Sequence, residues 1–233
     1  MITYKGNAAK RQSEKGDHSA FTDEFRKRHT ASFRLSDLGR QQALAAGEWI
    51  RNEFYEKGGI GFDRYVTSEY YRAMETAALL NLPKADWLCD FYLSERSWGD
   101  IDVYPENERV EKFGQALQRR EVEAFFWAPP NGESFTQLCQ RVDRALDTLH
   151  RGSSDKRVII VCHGEVMWAF RVRIERMSQE KFKELNLSDD PNDRIHNCQI
   201  LHYTRRDPNE HKLTEHANWM RMIRPQSPGW RGE

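Results

Sequence analysis

From residue 35 onward the apolar positions fall into two rhythms. One is helical. Ala43, Gly47, Ile50 and Phe54 share a face behind Ser36, a reasonable N-cap, and Gly58-Gly59 mark the end. Ala73, Ala77 and Leu80 make a second inward face, in a helix read over 69–80 and capped by Ser68. A third helix follows the break at Pro129-Pro130-Asn131-Gly132, with Leu138, Val142, Ala145 and Leu149 in register. The other rhythm is short apolar runs that read as strands: 62–67, 87–93, 158–162 and 198–204. The run Val158 to Cys162 has no polar position, so it predicts a strand buried on both faces. It stops at His163-Gly164, and a helix is expected from Glu165 to about Met177. Strand alternates with helix, which predicts a three-layer α/β/α fold with a mostly parallel sheet. Residues 1–233 read as a single domain in which 101–130 form an excursion from the sheet. A helix is expected there from Val110 to Trp127, with an aromatic patch for a substrate cap or for packing on the body.

Composition changes this picture little. Thirty-six Lys and Arg balance 36 Asp and Glu, so nothing asks for a nucleic acid or an anionic membrane. The four cysteines, Cys89, Cys139, Cys162 and Cys198, are scattered without a paired motif, and a reducing cytoplasm is the default. No run is long and apolar enough to span a bilayer. The motifs for a P-loop or a dinucleotide fold do not occur.

Candidate chemistry gathers at strand ends. His163 and Gly164 stand where a strand gives way to a helix N-terminus, a place that favours an anion. Arg72 lies in the first turn of its helix, where a cation opposes the helix dipole. Either an anion sits beside it, or it pairs with Glu69 or Glu75. Glu95 follows a strand end, as a catalytic carboxylate or as a solvated loop charge.

Five segments in order resemble the histidine phosphatase superfamily (phosphoglycerate mutase-like). Leu35, Ser36, Gly39, Gln42 and Ala43 are similar to its L-T-x-x-G-x-x-Q-A helix start. Ser68, Arg72, Ala73, Thr76 and Ala77 resemble its S-x-x-x-R-A-x-x-T-A segment. Glu95 with Trp98-Gly99 resembles its strand-end acid, and Gly132-Glu133-Ser134 with Arg141 its G-E-S helix start. Val161-Cys162-His163-Gly164 resembles its second histidine. The resemblance implies a phosphoric monoester hydrolase acting on a small phosphorylated metabolite through a phosphohistidine, with no cofactor or metal. His163 and Arg72 would hold the phosphoryl oxygens, with Asn7 and Gly164 as further phosphate contacts. Glu95 would protonate the leaving oxygen.

The nucleophile departs from the family pattern. Arg28-His29-Thr30 follows no apolar strand and stands only six residues before Leu35. Lys5-Gly6-Asn7 fits the tail that follows the family's R-H-G. The expectation is that the first central strand and the nucleophile lie upstream of Met1, and that the chain as given is inactive. Two alternatives stay open: mutase-type phosphotransfer, and a phosphate-binding pseudoenzyme. His196, Cys198 and His202, at spacings of two and four on one strand, are weighed as a metal site. Cys162 and Arg171 are too far apart for the anion-cradling loop of a cysteine phosphatase.

Overall fold

The structure is a computed structural model that describes residue 9, residues 12–57 and residues 59–225. Asn7 and Gly58 lie outside the described residues, so their expected roles have no structural counterpart here. Three parallel strands form the main sheet: β1 (Arg64–Thr67), β2 (Trp87–Cys89) and β3 (Val158–Val161), in the order β2-β1-β3. Val66 of β1 lies opposite Leu88 of β2 and Ile160 of β3. A second, antiparallel pair joins β4 (Ile200–Thr204) to β5 (Trp219–Ile223). Both faces of the main sheet are covered, which makes the three layers expected.

Alternation along the strands assigns the layers. Val66, Val158 and Ile160 pack into a cluster with Leu138, Val142, Val166 and Ala169. These come from α4 (Phe135–Ser153) and α5 (Gly164–Ile174). Tyr65, Ile159 and Val161 face the other way, against Ala46, Ile50 and Leu80. That layer is α1 (Asp37–Arg51) with α2 (Tyr71–Leu79) and its C-cap residue Leu80. Gly47 is required where α1 crosses the end of α2, because a Cβ there would meet the Leu80 carbonyl oxygen at 2.4 Å.

Local chemistry sets the helix ends. Ser36 Oγ accepts from the Gly39 amide, as its N-cap role demands. Beyond Arg51 the helix widens into a π-turn over Asn52–Glu56. Ser134 and Gln137 close a capping box at the start of α4. α6 (Gln179–Asn186) puts Phe182 against Phe135, with rings stacked 4.2 Å apart.

Several expectations shift. The strand expected over 87–93 ends at Cys89, and Phe91–Leu93 is a 3-10 turn held by the Asp90 side chain. The excursion helix is α3 (Glu106–Val122), which starts earlier than expected and buries no residue. Phe125 and Trp127 beyond it do pack on the body, with Phe125 against Phe135 and Phe182. β3 packs on both faces but is only partly buried along its length, because β1 pairs with one edge and no described residue pairs with the other. The strand expected over 198–204 starts at Ile200, and β5 was not foreseen.

Residues ahead of α1 form a small satellite. Phe21, Phe25 and Phe33 share a core with Ala9, and Phe25 stacks on Phe33 at 5.1 Å. This unit is tied to α3. Arg26 makes a two-pronged ion pair with Glu108, and Ser13 Oγ accepts from the Glu106 amide at 2.9 Å.

Candidate active site

The three expected side chains meet at the carboxyl edge of the parallel sheet. β1 runs into Ser68 and then α2, which carries Arg72 in its first turn. β2 runs through the 3-10 turn to Glu95, and β3 runs into His163, the N-cap of α5. The Ser68 amide donates to the Val161 carbonyl at 2.9 Å and locks the first and third of these ends together.

His163 is buried, and its Nε2 lies 2.8 Å from Ser68 Oγ. Ser68 was expected to cap α2. Instead Tyr70 stands at the N-cap, while Ser68 accepts from the Tyr70 amide and turns its hydroxyl to the histidine. The Tyr70 ring meets His163 edge-on at 5.1 Å between centroids. Burial, then the nearby guanidiniums of Arg72 and Arg141, push the His163 pKa well below the ordinary 6.5. His163 is therefore a neutral hydrogen-bonding group near pH 7. Gly164 has open space where a Cβ would project, so the first turn of α5 is approachable beside the histidine.

Arg72 pairs with neither Glu69 nor Glu75. Glu75 is taken by Arg40 and by the Leu35 amide. Among the described residues the Arg72 side chain gives one hydrogen bond, from Nη1 to the Thr30 carbonyl at 2.8 Å, and its guanidinium lies 4.9 Å from the centre of the Tyr70 ring. Burial lowers its pKa, while Glu95, Tyr70 and Asp102 pull it back up. Those influences place the Glu95 carboxylate within electrostatic reach of Arg72. Glu95 accepts from the Arg96 amide at 3.0 Å.

The motifs named Gly99, Glu133 and Arg141 without their supporting roles, and sequence reasoning missed Arg96 and Arg120. Arg96 is buried and donates to the carbonyls of Glu133 and Trp127 and to the Glu165 carboxylate. Arg141 clasps Glu133 through two 2.8 Å bonds and reaches the Tyr92 carbonyl, so the start of α4 holds the turn that leads to Glu95. Gly99, at φ +52°, lets the Trp98 loop meet residues 130–132, where a Cβ would fall 2.0 Å from the Pro130 oxygen. Arg120 reaches back from α3 over the Trp98 ring at 4.8 Å. Burial and the cations Arg96 and Arg109 lower its pKa, and Glu165 opposes them. The motif segments at Glu95 and Glu133 pointed to this region, but no local pattern marked Arg96 or Arg120.

The rival sites come apart. Cys198 sits at φ +53° in a turn before β4, so it does not share a strand face with His202. His196 bonds the Pro191 carbonyl, and His202 lies beside Arg221. Burial raises the Cys162 thiol to about 12, far from a reactive thiolate. His29 meets the Tyr70 ring edge-on, as His163 does, and His29 Nδ1 accepts from the Ala31 amide.

A buried histidine, an arginine and a carboxylate stand at one edge of a parallel α/β sheet, an arrangement that suits an anionic ligand. The chain belongs to the histidine phosphatase superfamily (branch 1), whose family model matches residues 20–215. It is 28% identical over 160 residues to the 2,3-bisphosphoglycerate-dependent phosphoglycerate mutase of Methylorubrum populi, a match covering 66% of this chain and 73% of that one. It is 29% identical over 133 residues to the 6-phosphofructo-2-kinase/fructose-2,6-bisphosphatase of Gallus gallus, covering 57% of this chain and 26% of that one. In fold it resembles the alpha-ribazole phosphatase of Shigella flexneri, at 22% identity and a TM-score of 0.57, over 66% of this chain and 73% of that one. It also resembles a mycobacterial glucosyl-3-phosphoglycerate phosphatase, at 22% identity and a TM-score of 0.58, over 68% of this chain and 77% of that one.

Proposed function

We propose that this edge of the sheet binds the phosphoryl group of a small phosphoric monoester, and that the family's hydrolytic chemistry is performed there. The observation that carries the reading is Arg72, half-buried and giving a single hydrogen bond among the described residues, beside His163 at the open first turn of α5. Arg72 and the α5 amides would hold the non-bridging oxygens, and neutral His163 would donate a hydrogen bond to them. Glu95, on the Arg72 side, would give its proton to the leaving oxygen.

The residue that attacks phosphorus is a separate matter. His29 is poorly suited. Its Nδ1 accepts from an amide, so its neutral ring carries the proton on Nε2, the atom that would have to attack. Our reading assigns the attack to a residue other than His29, and with none placed for it among the described residues, phosphate binding without turnover is expected.

The substrate carries a second anionic group. Arg120, desolvated over Trp98 close to Glu165, is a cation at the cap side of the pocket. The mutase and bisphosphatase relatives are named for compounds that carry two phosphates. Hydrolysis is favoured over mutase transfer because mutases of this family carry a longer pattern of Y-G-x-L-x-G type after the acid, of which this chain has only the aromatic and glycine, Trp98-Gly99. A cytoplasmic location is part of the proposal, supported by four free thiols.

Calorimetric titration of residues 1–233 with inorganic phosphate or vanadate tests it. Saturable binding that falls at least about tenfold in Arg72→Ala is expected, the scale of one lost charge-assisted contact. Hydrolysis of an aryl phosphate is expected to stay at the buffer rate. Robust turnover abolished by His29→Ala would overturn the assignment of the nucleophile, and no difference between Arg72→Ala and the parent would overturn the pocket.

A further inference from the structure

The amino edge of the main sheet, opposite the edge that gathers Arg72, Glu95 and His163, is hollow. A cavity of about 730 Å³ opens there between the loop ahead of β1, the turn ahead of β2 and the residues ahead of β3. That volume suits a small organic ligand. β1 runs from this cavity, at Arg64 and Tyr65, to the candidate active site at Thr67 and Ser68. The two places are thus separated by about 10 Å of strand.

One wall of the cavity is aromatic. Phe62 meets the rings of Tyr55 and Tyr65 edge-on, each at 6.2 Å between centroids. The two tyrosine hydroxyls lie 2.9 Å apart, and that of Tyr65 also reaches the Pro83 carbonyl. Two apolar side chains on the rim stand largely in solvent: Ile60 is 83% exposed and Leu88 of β2 is 47% exposed. One exposed apolar side chain is ordinary, but two that border a single cavity beside three aromatic rings make a surface that wants a cover.

The charge around the rim is lopsided. Arg64, Lys84 and Lys156 line the cavity, and none of them has a carboxylate partner among the described residues. Arg64 Nη1 donates to neutral acceptors, the Ser153 hydroxyl at 3.0 Å and the Gly152 carbonyl. Lys84 stands at φ +57°, a left-handed backbone that is costly for a residue other than glycine, in the turn between α2 and β2. Of the two acids on the wall, Asp63 accepts from the Arg157 amide at 2.7 Å and faces the Arg157 guanidinium at 3.9 Å. Asp86 alone is left to offset three cations.

We propose that this cavity is a second ligand site, which takes a small organic anion with a flat apolar body. The rings of Phe62, Tyr55 and Tyr65, with Ile60 and Leu88, would cover the body, and Arg64, Lys84 and Lys156 would hold the anionic group. An inorganic anion fits less well, because it leaves the apolar wall wet. A neutral arene leaves the three cations without a counter-charge. The proposal is independent of phosphate recognition at the other edge of the sheet.

The test titrates residues 1–233 with 8-anilinonaphthalene-1-sulfonate, read by its fluorescence, while amide hydrogen exchange locates the probe. Saturation at one equivalent is expected, with exchange slowed at residues 60–65 and 83–88. Affinity should fall at least about tenfold in the double variant Lys84→Glu/Lys156→Glu, whose side chains lie at exposed positions, and at least about tenfold for the neutral N-phenyl-1-naphthylamine. Arg72→Ala and excess inorganic phosphate should leave the affinity unchanged. Binding that does not saturate, equal affinity in the double variant or for the neutral arene, or slowing confined to other residues overturns the proposal. Displacement by phosphate or loss of binding in Arg72→Ala overturns it too, and puts the probe at the candidate active site instead.

Discussion

Replacing Arg96 by methionine isolates the contribution of a buried guanidinium that sequence reasoning did not mark. The side chain has three acceptors: the carbonyls of Glu133 (2.9 Å) and Trp127 (3.1 Å) and the Glu165 carboxylate (3.2 Å). Methionine fills most of the stem's volume but donates nothing. Two buried carbonyls lose their donor, at about 1–1.5 kcal/mol each. Glu165 is partly exposed and recovers some solvation, so its share is about 0.5–1 kcal/mol. The total is about 3 kcal/mol, in the range found when one partner of a buried pair is removed. Urea unfolding followed by tryptophan fluorescence measures it, and Trp98 and Trp127 are suitable reporters because the guanidinium lies over both rings. Arg173→Met is the control. Its pair with Asp143 is largely exposed, and a loss below about 0.5 kcal/mol is expected. A loss below about 1 kcal/mol for Arg96→Met, or equal losses for the two variants, would refute the claim that Arg96 holds these loops together.

Two further predictions follow the same geometry. His163 has a folded pKa below its ordinary 6.5, so below that pH the unfolded chain binds a proton that the folded chain refuses. Stability should therefore fall as pH drops through 6.5, by up to about 1.4 kcal/mol per unit, and His163→Asn should flatten that slope; parallel pH profiles of urea midpoints for the two proteins would count against it. Gly99→Ala should lower stability by about 2–4 kcal/mol, because a positive φ and a clash with the Pro130 carbonyl coincide, and a calorimetric Tm unchanged within about 2 °C would show that the loop relaxes freely.

Much of this fold could be read from periodicity, because helices such as α1 and α4 bury one face in the way their own residues dictate. The parallel α/β layering and the meeting of Arg72, Glu95 and His163 at one edge followed from alternation and from the family motifs. β3 shows where that ends. Its sequence is that of a strand covered on both sides, yet its exposure depends on a neighbour that residues 158–161 do not encode. Ser68 shows a second limit. A serine ahead of a helix has two uses for its hydroxyl, and only the nearness of His163, 95 residues away in the chain, decides between them. Arg96 and Arg120 were illegible for a related reason, since a loop arginine and a surface-helix arginine look alike until the fold buries the one and lays the other over the Trp98 ring. β5 escaped because Arg221 interrupts its apolar run, and its pairing with β4 supplies what its own pattern lacks.

The excursion helix α3 has an evolutionary consequence. It contributes no buried residue, and it is fastened by its first turn to the Phe21–Phe33 satellite through Ser13 and Arg26. Most of its surface can change without draining stability from the core, while a single reach-back residue such as Arg120 still touches the rings beside the pocket. By the proposed reading, ligand preference and foldability are assigned to different stretches of chain, and a lineage could change α3 while leaving the sheet, with its costly burial, untouched.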